Sequence, residues 1–192
     1  MGEQEEVRGR IIREATRLFA ERGYAATSVR EIAEAVGVTK PTLYYHFGSK
    51  DGLFTALVNH HLGCWLDVIA GCLQAPAPVL HRLRAYVAAC FQLHLDDPMV
   101  LRFLHQAIQQ AGQGAPLVDA KKFHEGEVVL LIALLQEGIT QGTLRPHDPV
   151  AGALMLLGGV RIRLGATLHG GPPLTADTAD QVLNLLLHGV AP

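Results

Sequence analysis

The chain has 192 residues, of which 49% are hydrophobic and 18% are charged. This composition excludes an intrinsically disordered protein, because the apolar surface is large enough to offset the entropy lost on folding. At about 150 residues per domain, the length allows one domain with an appendage or two small domains. The formal net charge of -2 argues at first against a nucleic-acid-binding protein.

We expect no membrane-spanning helix. Charged and polar residues break each long apolar run before it reaches the roughly 18 residues that a span requires. Arg161 and Arg163 interrupt the run over 154–168, and Gln136 and Glu137 close the preceding one. Contact with a membrane is therefore not predicted.

The N-terminus and the cysteines indicate the compartment. Residues 1–10 have neither the basic start nor the apolar centre of a signal peptide, so the expected location is the cytoplasm. Cys64, Cys72 and Cys90 lack the CxxC spacing of a zinc site, and we expect them to be buried, reduced thiols.

Helical periodicity dominates the chain, and strand alternation is nearly absent. The first helix is expected to stop at Gly23, and the capping box Ser28 to Glu31 begins a second helix that ends at Gly37. Further helices begin at the caps Thr39 and Ser49, the latter running from 50 to 74, and five more are predicted over 79–95, 99–110, 117–141, 148–168 and 176–189. The expected fold is all-α, with about nine helices.

The second and third helices, joined by a tight turn at Gly37, have the pattern of a helix-turn-helix. In the third helix, Leu43 and Phe47 are spaced to face the core, whereas the outward positions carry hydrogen-bond donors or amphipathic rings: Lys40, Thr42, Tyr44, Tyr45 and His46. An ordinary helical hairpin with a solvated polar face is the alternative interpretation, and generic helix-turn-helix patterns do match such hairpins.

The distribution of charge favours the DNA-binding interpretation. Residues 1–50 hold eight Lys and Arg against seven Asp and Glu, a local balance of +1 in a chain of net charge -2. The sixteen residues from Ala35 to Lys50 contain no carboxylate, which a phosphate-facing surface needs more than a large total charge.

Two consecutive segments, GYAATSVREIA from Gly23 and AVGVTKPTLYYHFGSK from Ala35, resemble the tetracycline-repressor (TetR) family of bacterial transcription regulators. The resemblance covers about the first sixty residues. It implies an N-terminal three-helix DNA-binding domain over 1–50 and a larger effector-binding and dimerisation domain over 51–192.

The resemblance also assigns roles within the DNA-binding domain. It implies that base and phosphate contacts come from Ser28, Arg30, Thr39, Lys40, Thr42 and Tyr44, that Pro41 touches a thymine methyl or sugar, and that Tyr45, His46 and Lys50 bind phosphates. Arg30 and Lys40 are the best candidates for reading guanine. The acidic start, Glu3 to Glu6, argues against a minor-groove contact by the N-terminal arm, although Arg8, Arg10 and Arg13 could compensate.

For the larger domain, the resemblance implies a small-molecule pocket enclosed by helices five to seven and a homodimer in which helices eight and nine pair with their counterparts. Apolar stripes on those two helices agree with a symmetric interface, for which we predict Leu154, Leu157, Val182, Leu183, Leu186 and Leu187. An intramolecular core is the alternative explanation of the same stripes. The predicted effector contacts are Phe103, His105, Phe123, His124 and Arg161. Arg161 and Arg163 have a second interpretation, as partners of Asp177 or Asp180 across the dimer.

Enzyme interpretations find little support. The sequence has no GxSxG, no P-loop and no GxGxxG after a strand, and the pairing of His60 or His61 with Cys64 has no matching second pair for a metal. We expect no catalytic residues, metal or cofactor. The predicted function is a homodimeric repressor that a small, largely apolar effector releases from a palindromic DNA operator. The alternatives are an activator, a partner-responsive regulator, or a helical small-molecule-binding protein or enzyme.

Overall fold

A computed structural model describes residues 2–112, 114–175 and 177–188. Within these ranges the chain forms nine α-helices and no strand, which confirms the predicted fold class. The helices are α1 (Gly2–Ala26), α2 (Val29–Val36), α3 (Lys40–Phe47), α4 (Lys50–Leu73), α5 (Val79–Asp96), α6 (Pro98–Gln109), α7 (Ala120–Thr140), α8 (Pro149–Leu168) and α9 (Thr178–His188).

Two helix boundaries differ from the prediction by three residues, and the others by at most two. Helix α1 does not stop at Gly23. It kinks there, with φ 79° and ψ 170°, and continues to Ala26. Helix α7 begins at Ala120, three residues later than expected, because the segment after Gly114 is not helical.

Packing divides the chain into two compact units. The first unit comprises the described residues within 1–63 and 97–120, and the second comprises those within 64–96 and 121–188. The first unit extends beyond the predicted boundary at residue 50 because α6 packs on α1, although 71 residues separate the two helices in the chain. The functional boundary after residue 50 stays a prediction.

The first unit has an aromatic core. The ring of Phe54 makes edge contacts with Phe19 and Phe103, with centroids 5.3 and 5.4 Å apart. The side-chain amide of Gln106 on α6 donates to the carbonyl of Ala20 on α1 at 3.2 Å. Helix α6 is thus held to α1 by both apolar packing and a hydrogen bond.

The second unit has an aliphatic core with polar pairs inside it. Leu83, Leu131 and Leu156 are fully buried on three different helices. The buried Arg82 of α5 donates to the carbonyl of Leu73 at 3.2 Å and pairs with a carboxylate of α7. These bonds satisfy the two terminal nitrogens of Arg82, which would otherwise be costly to bury, whereas its Nε has no hydrogen-bond partner among the described residues.

Helices α4 and α8 are each long and apolar enough to cross a membrane, with mean hydropathies of 1.2 and 1.3. The expectation that no segment would qualify is therefore wrong, because one or two charged residues do not lower the mean hydropathy enough. Composition alone does not distinguish a span from a core helix. Both helices have a buried face, formed by Leu53, Leu57 and Ile69 of α4 and by Leu156 and Val160 of α8.

All three cysteines are free, as predicted, but their burial differs from the expectation. Cys90 is buried, Cys72 is half-buried, and Cys64 is exposed. Cys64 lies on α4, a helix that is apolar around most of its circumference, so the sequence pattern did not distinguish its inner face from its outer face.

Candidate DNA-binding site

Local capping interactions fix the start and the end of α2. The Ser28 hydroxyl accepts from the backbone amide of Glu31 at 3.2 Å, and the Glu31 carboxylate accepts from the amide of Ser28 at 2.8 Å. These hydrogen bonds lower the pKa of Glu31. Gly37 ends the helix in the left-handed conformation, with φ 75° and ψ 36°, which a residue with a side chain adopts at a cost. The predicted capping box and turn are confirmed.

Helix α3 begins two residues after this turn. Thr39 caps it by accepting from the amide of Thr42 at 3.3 Å, and Pro41 lies in the first turn, where its missing N–H has no consequence. Leu43 and Phe47 are buried, as predicted. The opposite face of the helix is therefore directed towards solvent.

The exposed face of α3 carries most of the predicted DNA contacts. Tyr44 and Tyr45 are 45% and 75% exposed. Lys40 is exposed as well, and the half-buried His46 ring lies 5.3 Å from the Tyr45 ring between their centroids. This face presents hydroxyl, ammonium and imidazole groups but no carboxylate.

The start of α4 adds a cation to the same segment. Ser49 caps the helix by accepting from the amide of Gly52 at 2.9 Å. The next residue, Lys50, lies over the ring of Tyr24, whose hydroxyl donates to Asp51. A lysine ammonium and the backbone amides at a helix N-terminus are both groups that bind phosphate, so the start of α4 is a candidate phosphate site.

The carboxylates that border the sixteen-residue window are held by partners. Glu34 pairs with Arg30 at 2.7 Å, and Glu31 pairs with Arg22 at 3.0 Å. Asp51 accepts from the Tyr24 hydroxyl. Because each carboxylate is partly neutralised or hydrogen-bonded, its repulsion of a phosphate is weaker than the sequence alone indicates.

The predicted DNA contacts, from Ser28 to Lys50, therefore lie on α2, on α3, on their N-caps and at the first residue of α4. Sequence reasoning missed Tyr24, which positions Lys50. The signal available for it was the Gly23-Tyr24 pair, since an aromatic residue just after a helix kink is placed to pack on the following helices.

The arginines of α1 have structural partners. The Arg10 guanidinium donates to the carbonyl of Val36 at the end of α2, and Arg8 lies over the Phe47 ring, 5.6 Å from its centroid. Both interactions lie inside the first unit. Arg8 and Arg10 would therefore have to leave these contacts in order to compensate for the acidic N-terminus at DNA.

The predicted effector contacts are not brought together in one unit. Phe103 is buried in the aromatic core of the first unit, and the half-buried His105 belongs to the same unit. His124 and Arg161 belong to the second unit, and the side chain of Phe123 lies outside those described. Phe103 packs against Phe19 and Phe54 and is only 1% exposed, and its assignment as an effector contact stays a prediction.

Arg161 pairs inside its own chain. Its guanidinium donates to the buried Glu127 carboxylate at 2.8 Å, and the Tyr86 hydroxyl donates to the other oxygen of that carboxylate at the same distance. Asp180 pairs with Arg84 of the same chain, and a pair between Arg161 and Asp180 across a dimer stays an alternative prediction. Sequence reasoning missed Glu127 and Tyr86. The available signal was the position of Glu127 directly before the apolar stretch 128–135 of α7.

An open groove of about 280 Å³ lies on the second unit, among α5, α9 and the segment between α7 and α8. Leucines and cationic side chains line it, including Leu80, Arg84 and Arg145. None of the five predicted effector residues contributes to this groove. Among the described residues, no group of three or more His, Cys, Asp or Glu is placed to hold a metal ion.

The predicted dimer residues divide into two sets. Leu157 and Leu183 are 5% and 1% exposed, buried by their own chain, so for these two the structure favours the intramolecular core. Leu154 is exposed, and the remaining three, Val182, Leu186 and Leu187, are half-buried. The interface assignment of these four stays a prediction.

The site geometry has a counterpart in a known family. The family described as bacterial regulatory proteins, tetR family, matches residues 11–57, which contain α2, α3 and the start of α4. The matched segment thus includes the whole helix-turn-helix and its two caps.

Relatives extend the likeness along the chain. It is 34% identical over 103 residues to the HTH-type transcriptional activator FasR of Mycolicibacterium smegmatis, a match that covers 54% of this chain and 47%, about half, of FasR. It is 27% identical over 187 residues to the HTH-type transcriptional repressor KstR2 of Mycobacterium tuberculosis, which covers 95% of this chain and 92% of KstR2.

A solved structure covers nearly the whole fold. The crystal structure of AibR in complex with isovaleryl coenzyme A and operator DNA is 30% identical, with a TM-score of 0.72, and the match covers 94% of this chain and 97% of AibR. The helix-turn-helix, its family match and this full-length likeness agree. The chain belongs to the tetR family of bacterial regulatory proteins.

Proposed function

We propose that the protein is a homodimeric transcription regulator that binds a palindromic DNA operator through α3 of each subunit. The observation that carries this proposal is the exposed face of α3, on which hydrogen-bond donors lie without any carboxylate. An α-helix with its side chains is about 10–12 Å in diameter, which fits the roughly 12 Å width of the B-DNA major groove.

Each side chain on this surface has a proposed role. Lys40 and Arg30 carry long cationic donors that can reach guanine O6 and N7, and a good contact of this kind contributes about 1–3 kcal/mol of discrimination. Lys50 and the amides at the start of α4 bind phosphate without sequence preference. The exposed rings of Tyr44 and Tyr45 combine apolar contact with a hydroxyl donor.

The proposed dimer pairs α8 and α9 with their counterparts in a second copy. Apolar side chains stand exposed on these helices, with Leu154 at 54%, Met155 at 68%, Ile162 at 76% and Leu185 at 55%. Exposed apolar residues grouped in this way indicate an interaction surface. Two recognition helices about 34–36 Å apart then match successive major grooves of a palindrome.

We further propose that the protein is a repressor whose effector is an acyl thioester. Support comes from KstR2, a repressor, and from AibR, which binds isovaleryl coenzyme A. An effector that binds preferentially to the conformation unable to fit the operator shifts the population away from DNA. A coupling of about 1–3 kcal/mol changes operator affinity roughly 5- to 150-fold. Because the DNA of a bacterium lies in the cytoplasm, we place the protein there.

Activation is the second candidate. FasR is an activator. It is 34% identical to this chain, against 27% for KstR2, although the match covers only about half of FasR. The two candidates predict the same DNA surface. They differ in the position of the operator relative to the promoter and in the sign of the effect on transcription.

Selection of bound fragments from a random DNA library tests the proposal. We expect a palindromic consensus whose half-sites are one helical turn apart, and titration with isovaleryl coenzyme A should release the protein from it. A library without any enriched sequence contradicts the regulator function. Transcription in vitro from a promoter containing the selected operator separates repression from activation.

A further inference from the structure

A line of polar side chains runs through the interior of the second unit. Tyr86, Cys90 and His94 follow one another at intervals of four residues, so they lie on the same face of α5, and all three are buried. Glu127 of α7 and Thr167 of α8 are hydrogen-bonded to this face, and Arg161 of α8 pairs with Glu127. We call these six residues the polar seam.

One end of the polar seam is fully hydrogen-bonded. The Glu127 carboxylate accepts from the Tyr86 hydroxyl and from Arg161, both at 2.8 Å. The charges of Glu127 and Arg161 balance, so this end attracts neither a cationic nor an anionic ligand. A ligand group that enters the seam is therefore expected to be uncharged.

The other end is not satisfied. Nε2 of His94 lies 3.1 Å from the Thr167 hydroxyl oxygen, and that hydroxyl donates its single hydrogen to the carbonyl of Leu164 at 2.6 Å. We therefore assign the ring proton to Nε2, which donates to Thr167, because the hydroxyl oxygen lies closer to the Leu164 carbonyl than to Nε2. This leaves Nδ1 of His94 as an acceptor.

Nδ1 of His94 is closed off from solvent and has no hydrogen-bond partner among the described residues. The residue is 91% buried, being 9% exposed. Burial also lowers the pKa of His94, which keeps the ring neutral near pH 7. An acceptor lone pair that is buried without a donor is costly, and native proteins keep few of them.

We infer that Nδ1 of His94 accepts a hydrogen bond from an uncharged N–H or O–H group of the effector. The inference rests on the proposed effector-responsive function and names the part of the effector that is recognised in the seam. Since Nδ1 is covered in this conformation, the donor reaches it only when the covering side chains move. Satisfying Nδ1 therefore favours an open conformation over the closed one, which is the difference in interaction that a population shift requires.

Two substitutions distinguish the roles of Nδ1 and Nε2 of His94. In His94→Asn, the amide oxygen takes the approximate place of Nδ1, and the bond to Thr167 is lost. In His94→Gln, the longer side chain places its amide near Nε2, so the bond to Thr167 is kept and the acceptor is lost. A purely structural His94 predicts that His94→Asn is the more harmful change. Our inference predicts the opposite for ligand binding.

The probe is S-isovaleryl-N-acetylcysteamine, a thioester with one amide N–H, and its control is the N-methylated analogue. By isothermal titration, wild type and His94→Asn should bind the amide about tenfold more tightly than the N-methyl compound, as expected for one buried hydrogen bond. His94→Gln should bind both compounds equally. Helical circular dichroism and operator binding verify that each variant is folded.

The outcomes separate the inference from the proposed function. If the thioester binds the wild type and the ratio of affinities is unchanged in His94→Gln, the inference is wrong and the effector class stands. If neither compound binds a wild-type protein that still binds its operator, the effector class and the inference are both wrong, and DNA binding stands. The contact is established if the wild type and His94→Asn bind the amide more tightly than the N-methyl compound and His94→Gln binds both equally.

Discussion

The ammonium nitrogen of Lys50 lies 4.1 Å from the centroid of the Tyr24 ring, whose hydroxyl donates to Asp51. Burial lowers the pKa of Lys50, while the carboxylates of Asp51 and Glu31 oppose that shift. Burial and the bond to Asp51 raise the pKa of Tyr24 to about 12, so the phenol keeps its proton near neutral pH. The ring and the hydroxyl therefore orient the first turn of α4 before DNA is bound.

Replacement of Lys50 by Ala should weaken binding to every DNA sequence to a similar degree. A lysine that neutralises one phosphate releases about 0.9 counterion, so the slope of log K against log salt should become shallower by about 0.9 per subunit. Fluorescence anisotropy at several salt concentrations measures both quantities. Lys121→Ala, which removes an exposed lysine of α7, is the control. An unchanged slope in Lys50→Ala contradicts the phosphate contact.

The ion pair between Arg30 and Glu34 limits base reading by Arg30. The two side chains are 71% and 62% exposed and 2.7 Å apart, so Arg30 must leave the carboxylate to contact a base. Glu34→Gln should therefore tighten operator binding several-fold, because it removes both a competitor and a negative charge facing DNA. Arg30→Ala should cost about 1–3 kcal/mol and relax preference at one base pair.

Binding to the selected operator and to its single-base variants measures these effects. Glu21→Gln, which removes the partner of Arg17 in a similar pair on α1, serves as the matched control. Weaker binding by Glu34→Gln would show that Glu34 positions Arg30 instead of competing for it.

The helix-turn-helix was predictable because its determinants are local. The caps at Ser28 and Thr39 and the turn at Gly37 depend on residues at most four positions apart, and each was placed correctly. The inward positions of α3 follow from helical periodicity alone.

Features that depend on distant packing were not predictable. The apolar pattern of α6 predicts that Phe103 lines an effector pocket, whereas only the structure shows that it packs on Phe19 and Phe54 in the core of the first unit. Leu157 and Met155 are neighbours on α8, and periodicity without a partner does not say which side faces inward. The structure buries Leu157 and exposes Met155.

The buried Glu127 should contribute strongly to stability. In Glu127→Gln, Arg161 loses its counter-charge and Tyr86 is left with a weaker acceptor. Breaking a fully buried pair costs about 3–5 kcal/mol, and the partial exposure of Arg161 reduces this to an expected loss of about 2–3 kcal/mol. Glu125→Gln on the same helix breaks an exposed pair with Lys121 and should cost under about 1 kcal/mol. Urea unfolding compares the two variants, and equal losses would contradict the role of burial.

Charged residues at Met155 and Ile162 should prevent dimer formation. Both side chains are exposed in the single chain, so Met155→Lys and Ile162→Asp leave the core intact, whereas a charge at the buried Leu183 would unfold the subunit. We expect monomers in sedimentation equilibrium and operator binding weakened more than tenfold, because two half-sites are then no longer bound together. Val129→Asp introduces a charge at an exposed apolar position of α7 and should leave the dimer intact. A dimer that persists in both variants contradicts an interface on α8.

A histidine in the first unit should make folding sensitive to acid. Nε2 of His61 lies 2.8 Å from the Thr16 hydroxyl oxygen, and the ring packs against Phe103. Burial, and after it the neighbouring His60, lower the pKa of His61 from 6.5 to about 4, while Asp97 opposes the shift.

The unfolded chain therefore binds this proton near pH 6.5, and the folded chain binds it only near pH 4. The contribution of neutral His61 to the free energy of unfolding is complete above pH 6.5 and is lost progressively as the pH falls towards 4. His61→Gln keeps an amide near the position of Nε2 but does not titrate, so its urea midpoint should fall less than that of the wild type between pH 7 and pH 5. His81→Gln, at an exposed position of α5, should follow the wild type. Equal acid sensitivity of His61→Gln and the wild type would mean that the folded chain accepts a proton on His61 as readily as the unfolded chain does.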